Sequence, residues 1–94
     1  MMSISVITPH FNDFEGIKQT HDCLLKQDTD QWEWVIVDDF SELTVRDSLK
    51  KYFEQHSSST IKLVFNDKKT NGSVCRNMGV DHASFNHLVF LDSD

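Results

Sequence analysis

The sequence predicts an α/β domain built on an open parallel sheet with helices on both faces. Short apolar runs rich in β-branched residues alternate with longer amphipathic stretches along the 94 residues, and this alternation is typical of strand–helix units in a parallel sheet. The fourth apolar run, residues 88–91, has no polar residue on either face, as expected for a central parallel strand. We predict four strands in the order 3-2-1-4.

The first strand is predicted at residues 4–8, and an amphipathic helix that ends near Gln27 follows it. Asn12 with Glu15 three residues later forms a capping-box pattern, which predicts that Asn12 is the N-cap. One face of this helix carries Phe14, Ile17, His21, Leu24 and Leu25. On that face we expect His21 to be a packed histidine and not a metal ligand.

The second strand is predicted at residues 34–37, entered through 31–33, and it stops at Asp38-Asp39. Thr44, with Asp47 three residues later, is the expected N-cap of the second helix. The spacing of apolar residues predicts one buried face on that helix. This face carries Val45, Leu49, Tyr52 and Phe53.

A polar loop at residues 57–60 leads to a third strand at 61–65. Gly72 precedes a third helix at about residues 73–84, with Val74 and Met78 facing the core. The fourth strand, at 88–91, completes the pattern. No repeat or linker divides the chain, so residues 1–94 are expected to form one domain.

Charge and cysteine content limit the classes of partner. The formal net charge is −6, from 15 acidic and 9 basic residues, which argues against a nucleic-acid or anionic-membrane surface because both need basic footprints. No apolar stretch approaches the roughly 18 residues of a membrane span, and no signal-peptide pattern follows Met1, so we expect a cytoplasmic location.

Cys23 and Cys75 lie in predicted helices without CxxC spacing and are expected to be buried free thiols.

Polar or acidic residues follow three of the four predicted strands. These clusters are Pro9-His10-Phe11-Asn12, Asp38-Asp39 and Asp92-Ser93-Asp94. In open α/β sheets, ligands bind at the carboxyl ends of strands, beside the point where the strand order reverses. In the order 3-2-1-4 that point lies between the first and fourth strands, so all three clusters are expected to face one crevice.

The carboxylates of Asp92 and Asp94 are one residue apart after an apolar strand. Side chains alternate along an extended chain, so one carboxylate suits a divalent cation and the other a ligand hydroxyl. Mg²⁺ and Mn²⁺ prefer carboxylate oxygens and substrate phosphates. A solvated acidic turn is the alternative. Asp38-Asp39 at a neighbouring strand end favours a functional site, because like charges gathered at one edge repel unless something positive lies among them.

Two other side chains have two interpretations each. Arg76, near the start of the third helix, is placed for a bidentate contact with phosphate or carboxylate, or for an ion pair with one of the aspartates. Phe11 follows the first strand and can either stack on a flat base or pack under the loop.

Four segments taken together carry a family pattern. They are Pro9-His10-Phe11-Asn12, Val37-Asp38-Asp39-Phe40-Ser41, Asn71-Gly72 with Arg76-Asn77 and Gly79, and Leu91-Asp92-Ser93-Asp94. In this order and spacing the chain resembles the opening of a family 2 glycosyltransferase, whose GT-A fold has a Rossmann-like open parallel sheet. His10 stands where that family commonly has a small hydroxyl residue, and Phe11 replaces its usual tyrosine.

The resemblance implies that the chain belongs to an enzyme that transfers a sugar from a nucleotide-diphosphate sugar donor, in polysaccharide or glycoconjugate synthesis. The positions of Pro9 and Phe11, followed by Asn12, would line the nucleotide base. Asp39 would hydrogen-bond the edge of the base, with Asp38 beside it. The sugar, the nucleotide and the acceptor are not specified by these residues.

The resemblance also implies a metal. Arg76 would support the nucleotide pocket, Asp92 would contact the ribose or the sugar, and Asp94, with Asp92, would bind the divalent cation, Mn²⁺ or Mg²⁺, that offsets charge on the departing diphosphate. The family's catalytic base is expected beyond residue 94, so we expect a truncated GT-A domain that is inactive alone. Its exposed fourth strand predicts self-association.

Three other interpretations are open at this point. A phosphoacceptor receiver domain has a double-aspartate strand like 35–39, but it opens with that strand, whereas a full strand and helix come first here. A dinucleotide-binding oxidoreductase needs a GxGxxG turn, which the segment 9–16 lacks. The third is a fragment that binds nucleotide without any activity.

Overall fold

The computed structural model describes residues 3–27, 31–56 and 60–92. Its four parallel strands are β1 (Ile4–His10), β2 (Trp32–Asp38), β3 (Ile61–Phe65) and β4 (His87–Phe90), and its helices are α1 (Phe14–Leu25), α2 (Leu43–Gln55) and α3 (Gly72–His82). The strand order is β3-β2-β1-β4. The predicted open parallel sheet and its order are confirmed.

The sheet carries a hydrophobic layer on each face, because successive strand residues point to opposite sides. One layer joins β1 and β2 to α1 and α2 and contains Val6, Ile17, Leu24, Trp34, Ile36 and Leu49. The other joins the same two strands to α3 and contains Ile7, Val35, Val37 and Cys75. Helices therefore cover both faces of β1 and β2, as predicted.

His21 packs between α1 and the sheet, which confirms it as a packed histidine. Its ring stacks on Trp34 at 5.9 Å between centroids, and its Nδ1 lies 2.7 Å from the Tyr52 hydroxyl. Burial lowers the pKa of His21, and the nearby His56 lowers it further. The neutral ring is therefore the form that this packing favours.

The predicted caps of α1 and α2 are wrong. Asp13 caps α1, with its carboxylate accepting the Gly16 amide at 3.1 Å. Asn12 adopts a left-handed backbone (φ 50°), and its side-chain oxygen instead accepts the amide of Glu42. Glu42 is the N-cap of α2 and makes no side-chain cap bond. Thr44 lies inside that helix, because the amides of Val45 and Arg46 already donate to the Glu42 carbonyl.

The predicted core faces need correction at three positions. Leu25 is exposed because it lies at the last residue of α1. Val74 is also exposed, because α3 turns Cys75 and Gly79 towards the sheet. The helix begins at Gly72, after the N-cap Asn71. Cys75 is buried as expected, whereas Cys23 is exposed.

Strand and loop bounds differ slightly from the prediction. β2 is longer than predicted because it includes Trp32 and Asp38, and β4 ends at Phe90. Residues 57–59 of the predicted polar loop lie outside the described residues. No helix among the described residues is both long and apolar enough to cross a membrane.

Candidate functional site

A cavity of about 350 Å³ opens at the carboxyl edge of the sheet, beside the ends of β1 and β4. This is where the strand order reverses and where ligands of open α/β sheets bind. Five of the predicted site residues line it: Pro9, Phe11, Asp39, Arg76 and Asp92. The structure thus brings together residues from all three predicted polar clusters and from α3.

Asp39 is the most heavily hydrogen-bonded carboxylate of the cavity. Its Oδ1 accepts from the amide and the hydroxyl of Thr70, at 2.8 and 2.6 Å, and from the Asn66 side chain at 3.1 Å. Its Oδ2 accepts from the Lys69 ammonium at 2.9 Å. Burial alone would raise the pKa of Asp39, but the bonds from Thr70, Lys69 and Asn66 outweigh it and hold the pKa far below its usual range. Asp39 is therefore a fixed anion.

Asp38 lies beneath the cavity and is fully buried. Its Oδ1 is 2.7 Å from His10 Nδ1, while His10 Nε2 accepts the Asp13 amide at 2.9 Å. Because Nε2 accepts, the proton of the neutral ring lies on Nδ1 and is donated to Asp38. Burial acts to raise the pKa of Asp38, and the bonds from His10 and Ser41 reverse that and lower it.

Asn12 and Asp38 join the loops after β1 and β2 and do not line the cavity. The Asn12 amide donates to the Ser41 hydroxyl at 2.8 Å, and that hydroxyl donates to Asp38 at 2.6 Å. Both residues thus join the loops that carry the cavity lining, without lining the cavity themselves. A direct contact of either one with a nucleotide stays a prediction.

Arg76 and Asp92 face each other across the cavity mouth. Arg76 Nη2 lies 3.6 Å from Asp92 Oδ1, with 40% and 55% of the side chains exposed. The structure thus contains the ion pair that was one of the two interpretations of Arg76. Because the guanidinium is partly exposed, it can also bind an anion. Asp94 lies outside the described residues.

The described residues offer few ligands to a divalent cation. No group of three or more His, Cys, Asp or Glu side chains within residues 3–27, 31–56 and 60–92 could hold a metal. Asp92 is a carboxylate at the cavity rim that suits Mn²⁺ or Mg²⁺, which take few protein ligands and keep waters and phosphates. A cation held by Asp92 would need further ligands from a phosphate, from water or from residues outside the described ranges.

Sequence reasoning missed four residues of the cavity lining, Asp13, Lys69, Gly72 and Cys75, whereas His10 belongs to the polar cluster after the first predicted strand. Lys69 is the most consequential because it contacts both Asp39 and Phe11. In the sequence, Lys69 is a cation in the loop that follows β3, and the carboxyl end of β3 lies at the same edge of the sheet. Cys75 is buried, and burial raises the pKa of its thiol.

An open parallel sheet with a charged crevice where its strand order reverses defines an α/β domain of the ligand-binding type. The model of glycosyl transferase family 2 matches residues 5–94. The chain belongs to this family, and its fold is the GT-A fold. The receiver-domain and oxidoreductase interpretations are thereby set aside.

Relatives and solved structures agree with this membership. The amylovoran biosynthesis glycosyltransferase AmsB of Erwinia amylovora is 37% identical over 99% of the chain, which covers 31% of AmsB. The mannosyltransferase PcManGT of Pyrobaculum calidifontis, solved with GDP-Man and Mn²⁺, superposes with a TM-score of 0.85 at 26% identity, over 97% of this chain and 27% of that one.

TarS of S. aureus, residues 1–349, solved with UDP-GlcNAc, gives a TM-score of 0.83 at 29% identity, over 99% of this chain and 27% of that one. The chain spans about a third of the length of the curated relatives that it matches.

Proposed function

We propose that this chain forms the donor-binding part of a glycosyltransferase, which transfers a sugar from a nucleotide-diphosphate sugar to an acceptor. Residues 1–94 would make up one truncated GT-A domain, and the catalytic base and the acceptor site would lie outside it. The structural relatives include proteins solved with GDP-Man and with UDP-GlcNAc, which supports a nucleotide-sugar donor here.

The observation that carries the proposal is the placement of the family motifs around one cavity. Phe11 is 48% exposed and offers an aromatic ring on which a base can stack. Asp39 offers a fixed acceptor beside that ring, and Pro9 forms the wall next to it. Arg76, at the other side of the cavity, offers a guanidinium that suits phosphate.

A divalent cation, Mn²⁺ or Mg²⁺, is the proposed cofactor, with Asp92 and Asp94 as its protein ligands. The structural relative PcManGT was solved with Mn²⁺, which supports this choice. When bound, such a cation offsets the negative charge on the diphosphate leaving group. Asp92 holds its carboxylate at the rim beside Arg76, so the chain itself supplies one anion and one cation to the place where the diphosphate would lie.

The cation also resolves a conflict of charge. The chain carries a net charge of −6, and an anionic diphosphate is repelled by such a surface. Lys69 and Arg76 are the lysine and arginine that line the cavity, and each is already paired with an aspartate. A metal ion would therefore supply the positive charge that the donor needs.

The cytoplasm is the proposed compartment, since both cysteines are free thiols.

Calorimetric titration with UDP and GDP, each with and without Mn²⁺, tests the proposal. We expect at least one of the two to bind, with affinity that rises about tenfold or more when Mn²⁺ is present, as for ligands that share a metal with the protein. Asp94→Ala should remove the effect of Mn²⁺. The control is Asp67→Ala, which removes the same charge from an exposed loop residue outside the cavity.

Two results would contradict the proposal. One is the absence of binding by both nucleotides under every condition. The other is binding that neither Mn²⁺ nor Asp94→Ala changes, because the site would then be a simple anion pocket without the metal that a sugar-nucleotide donor needs.

A further inference from the structure

Two residues with a left-handed backbone follow directly on residues that line the cavity. Asn12, with φ 50°, comes after Phe11, and Phe40, with φ 62°, comes after Asp39. This conformation costs a non-glycine residue free energy, and a bulky residue such as phenylalanine rarely adopts it. It persists where the surrounding structure holds it in place. Each of the two loops therefore needs contacts that hold its left-handed residue.

The hydroxyl of Ser41 joins the two loops. It accepts the Asn12 amide at 2.8 Å and donates to Asp38 Oδ1 at 2.6 Å. In the opposite direction, the Asn12 side-chain oxygen accepts the Glu42 amide at 2.8 Å. Asn12, Ser41 and Glu42 thus form an inter-loop clasp, which holds Asn12 itself and the chain directly after Phe40.

Arg46 of α2 holds Phe40 from a second direction. Its Nε donates to the Ser41 carbonyl oxygen at 2.8 Å, and its guanidinium carbon lies 4.9 Å from the centroid of the Phe40 ring. Neither Phe40 nor Arg46 lines the cavity. The left-handed conformation of Phe40 is therefore held by contacts of the protein with itself, outside the cavity.

Ser41 influences the cavity without touching what it holds. Its side chain is buried, with 1% exposed, and it does not line the cavity. Phe11 and Asp39 are joined by single peptide bonds to the two left-handed residues. If Asn12 or Phe40 turned to a more favourable φ, the cavity residue before it would move. The inter-loop clasp therefore controls how Phe11 and Asp39 are placed relative to each other.

We propose that Ser41 and Asn12 are positioning residues, which through the inter-loop clasp hold Phe11 and Asp39 in the arrangement that binds the nucleotide. The inference rests on the proposed donor site. The family resemblance implies a direct contact of Asn12 with the base, whereas the clasp needs none. A clasp of this kind raises affinity because the binding-competent arrangement is already populated before the ligand arrives.

Two buried serines with matched surroundings provide the test. The Ser5 hydroxyl donates to the Glu33 carboxylate at 2.5 Å and accepts the Phe85 amide at 3.1 Å, as the Ser41 hydroxyl does with Asp38 and Asn12. Ser5 is equally buried but does not line the cavity. Ser5→Ala and Ser41→Ala should lower the urea midpoint by similar amounts, because each removes one partner from a carboxylate and one from an amide.

Calorimetric titration with UDP and with GDP, in the presence of Mn²⁺, separates positioning from stability. Ser41→Ala should weaken binding about tenfold, which corresponds to a binding-competent fraction of about one tenth. Ser5→Ala should leave the affinity within about twofold, as expected for a distant site. Circular dichroism identifies a temperature at which both variants are folded, and the titrations are made there.

Glycine at position 40 gives a readout that a merely structural role would not move. Glycine adopts the left-handed backbone at little cost. Phe40→Gly added to Ser41→Ala should therefore restore affinity by about threefold or more. Phe40→Ala in the same background should not, because it also removes the ring but keeps a Cβ. If Ser41→Ala does not fold, the comparison moves to the exposed Asn12, where Asn12→Gly should bind more tightly than Asn12→Ala.

The outcomes distinguish this inference from the proposed function. Unchanged binding in Ser41→Ala, or equal weakening by Ser5→Ala and Ser41→Ala, would overturn the positioning role while leaving the donor site in place. Equal affinities of the glycine and alanine variants would also overturn it, since the left-handed backbone would then not matter. Failure of the unmodified chain to bind either UDP or GDP would overturn the donor site and this inference together.

Discussion

His10 is held at both ring nitrogens, between the buried carboxylate of Asp38 and the amide of Asp13. The two bonds tie the end of β1 to the end of β2 and to the N-cap of α1. A polar group buried without a partner costs about 1–3 kcal/mol. The conformation of the loop after β1, which carries Phe11, therefore depends on this histidine.

Replacement of His10 by leucine should lower the free energy of unfolding by about 3 kcal/mol, because Asp38 and the Asp13 amide each lose a buried partner. His10→Asn can still donate to Asp38 and should cost about half as much. Urea denaturation followed by circular dichroism measures both. Equal stability of the leucine variant and the unmodified protein would contradict the structural role of the pair.

Gly79 lies where α3 packs closely against β1, and a Cβ built there would overlap Cγ2 of Ile7. Gly79→Ala should lower the free energy of unfolding by about 2 kcal/mol, since overpacking of this kind typically costs 1–3 kcal/mol and outweighs the helix preference of alanine. Thermal or urea denaturation measures the change.

Gly72→Ala is the matched control, because the new Cβ would meet only the flexible end of Arg76, at 3.3 Å or more. We expect little loss of stability from this variant. Equal effects of the two substitutions would show that close packing at Ile7 is not the reason for Gly79.

Among the elements, the strands were predictable from the sequence and the helix caps were not. Apolar runs rich in β-branched residues favour an extended chain even where they stay exposed, so β1 to β4 fall within about two residues of the prediction. A cap depends on which neighbouring loop supplies a partner. Asn12 has the right local pattern for a cap of α1, yet it bonds to Glu42, 30 residues away in the chain. No local pattern contains that information.

The site residues also divide into those that the sequence predicts and those that only the fold reveals. Pro9, Asp39 and Asp92 were predictable because strand ends in a parallel sheet share one edge. Lys69 was not, because a lysine in a polar loop has the same appearance whether it points into a cavity or into water. Its bond to Asp39 joins residues 30 positions apart, and only the three-dimensional arrangement shows it.

β4 lies at one edge of the sheet, and this position predicts how the chain associates. It pairs with β1 on one side, and its residues Leu88, Val89 and Phe90 are exposed. An uncharged apolar strand at the edge of a sheet tends to pair with another copy. We therefore expect self-association at high protein concentration, visible as a concentration-dependent sedimentation coefficient.

Val89→Lys should reduce this association, because a charge on an edge strand opposes pairing. Val80→Lys on α3 makes the same change of charge at a residue of similar exposure, 39% against 45%, and should leave association unchanged. A monomer at all concentrations, or equal effects of the two variants, would exclude the β4 edge as the contact.

For the whole molecule, the shifted pKa values predict loss of stability in acid. The pKa of His21 is lowered, so the unfolded chain takes up a proton more readily and stability begins to fall below about pH 6.5. The pKa values of Glu33, Asp38 and Asp39 are also lowered. Their contribution is present above the ordinary carboxyl pKa of about 4 and is lost below it.

The free energy of unfolding in urea should therefore decrease from pH 7.5 to 5.5 and decrease further to pH 3.5. His21→Gln should remove much of the first decrease, whereas the same change at the exposed His82 should not. Stability that is constant or rises on acidification would contradict the hydrogen-bond and packing scheme around these groups.

The most direct measurement of the donor-site claim is a two-dimensional ¹H–¹⁵N NMR titration of the chain with UDP and with GDP in the presence of Mg²⁺, a diamagnetic substitute for Mn²⁺. We expect the largest changes in the amide signals of Phe11, Asp39, Lys69, Gly72 and Asp92, which line the cavity at the carboxyl edge. The second cavity, between α1 and α2, lies beside Phe14, Lys18 and Tyr52 and serves as the internal control. Shifts centred on that second cavity, or no shifts with either nucleotide, would contradict the account.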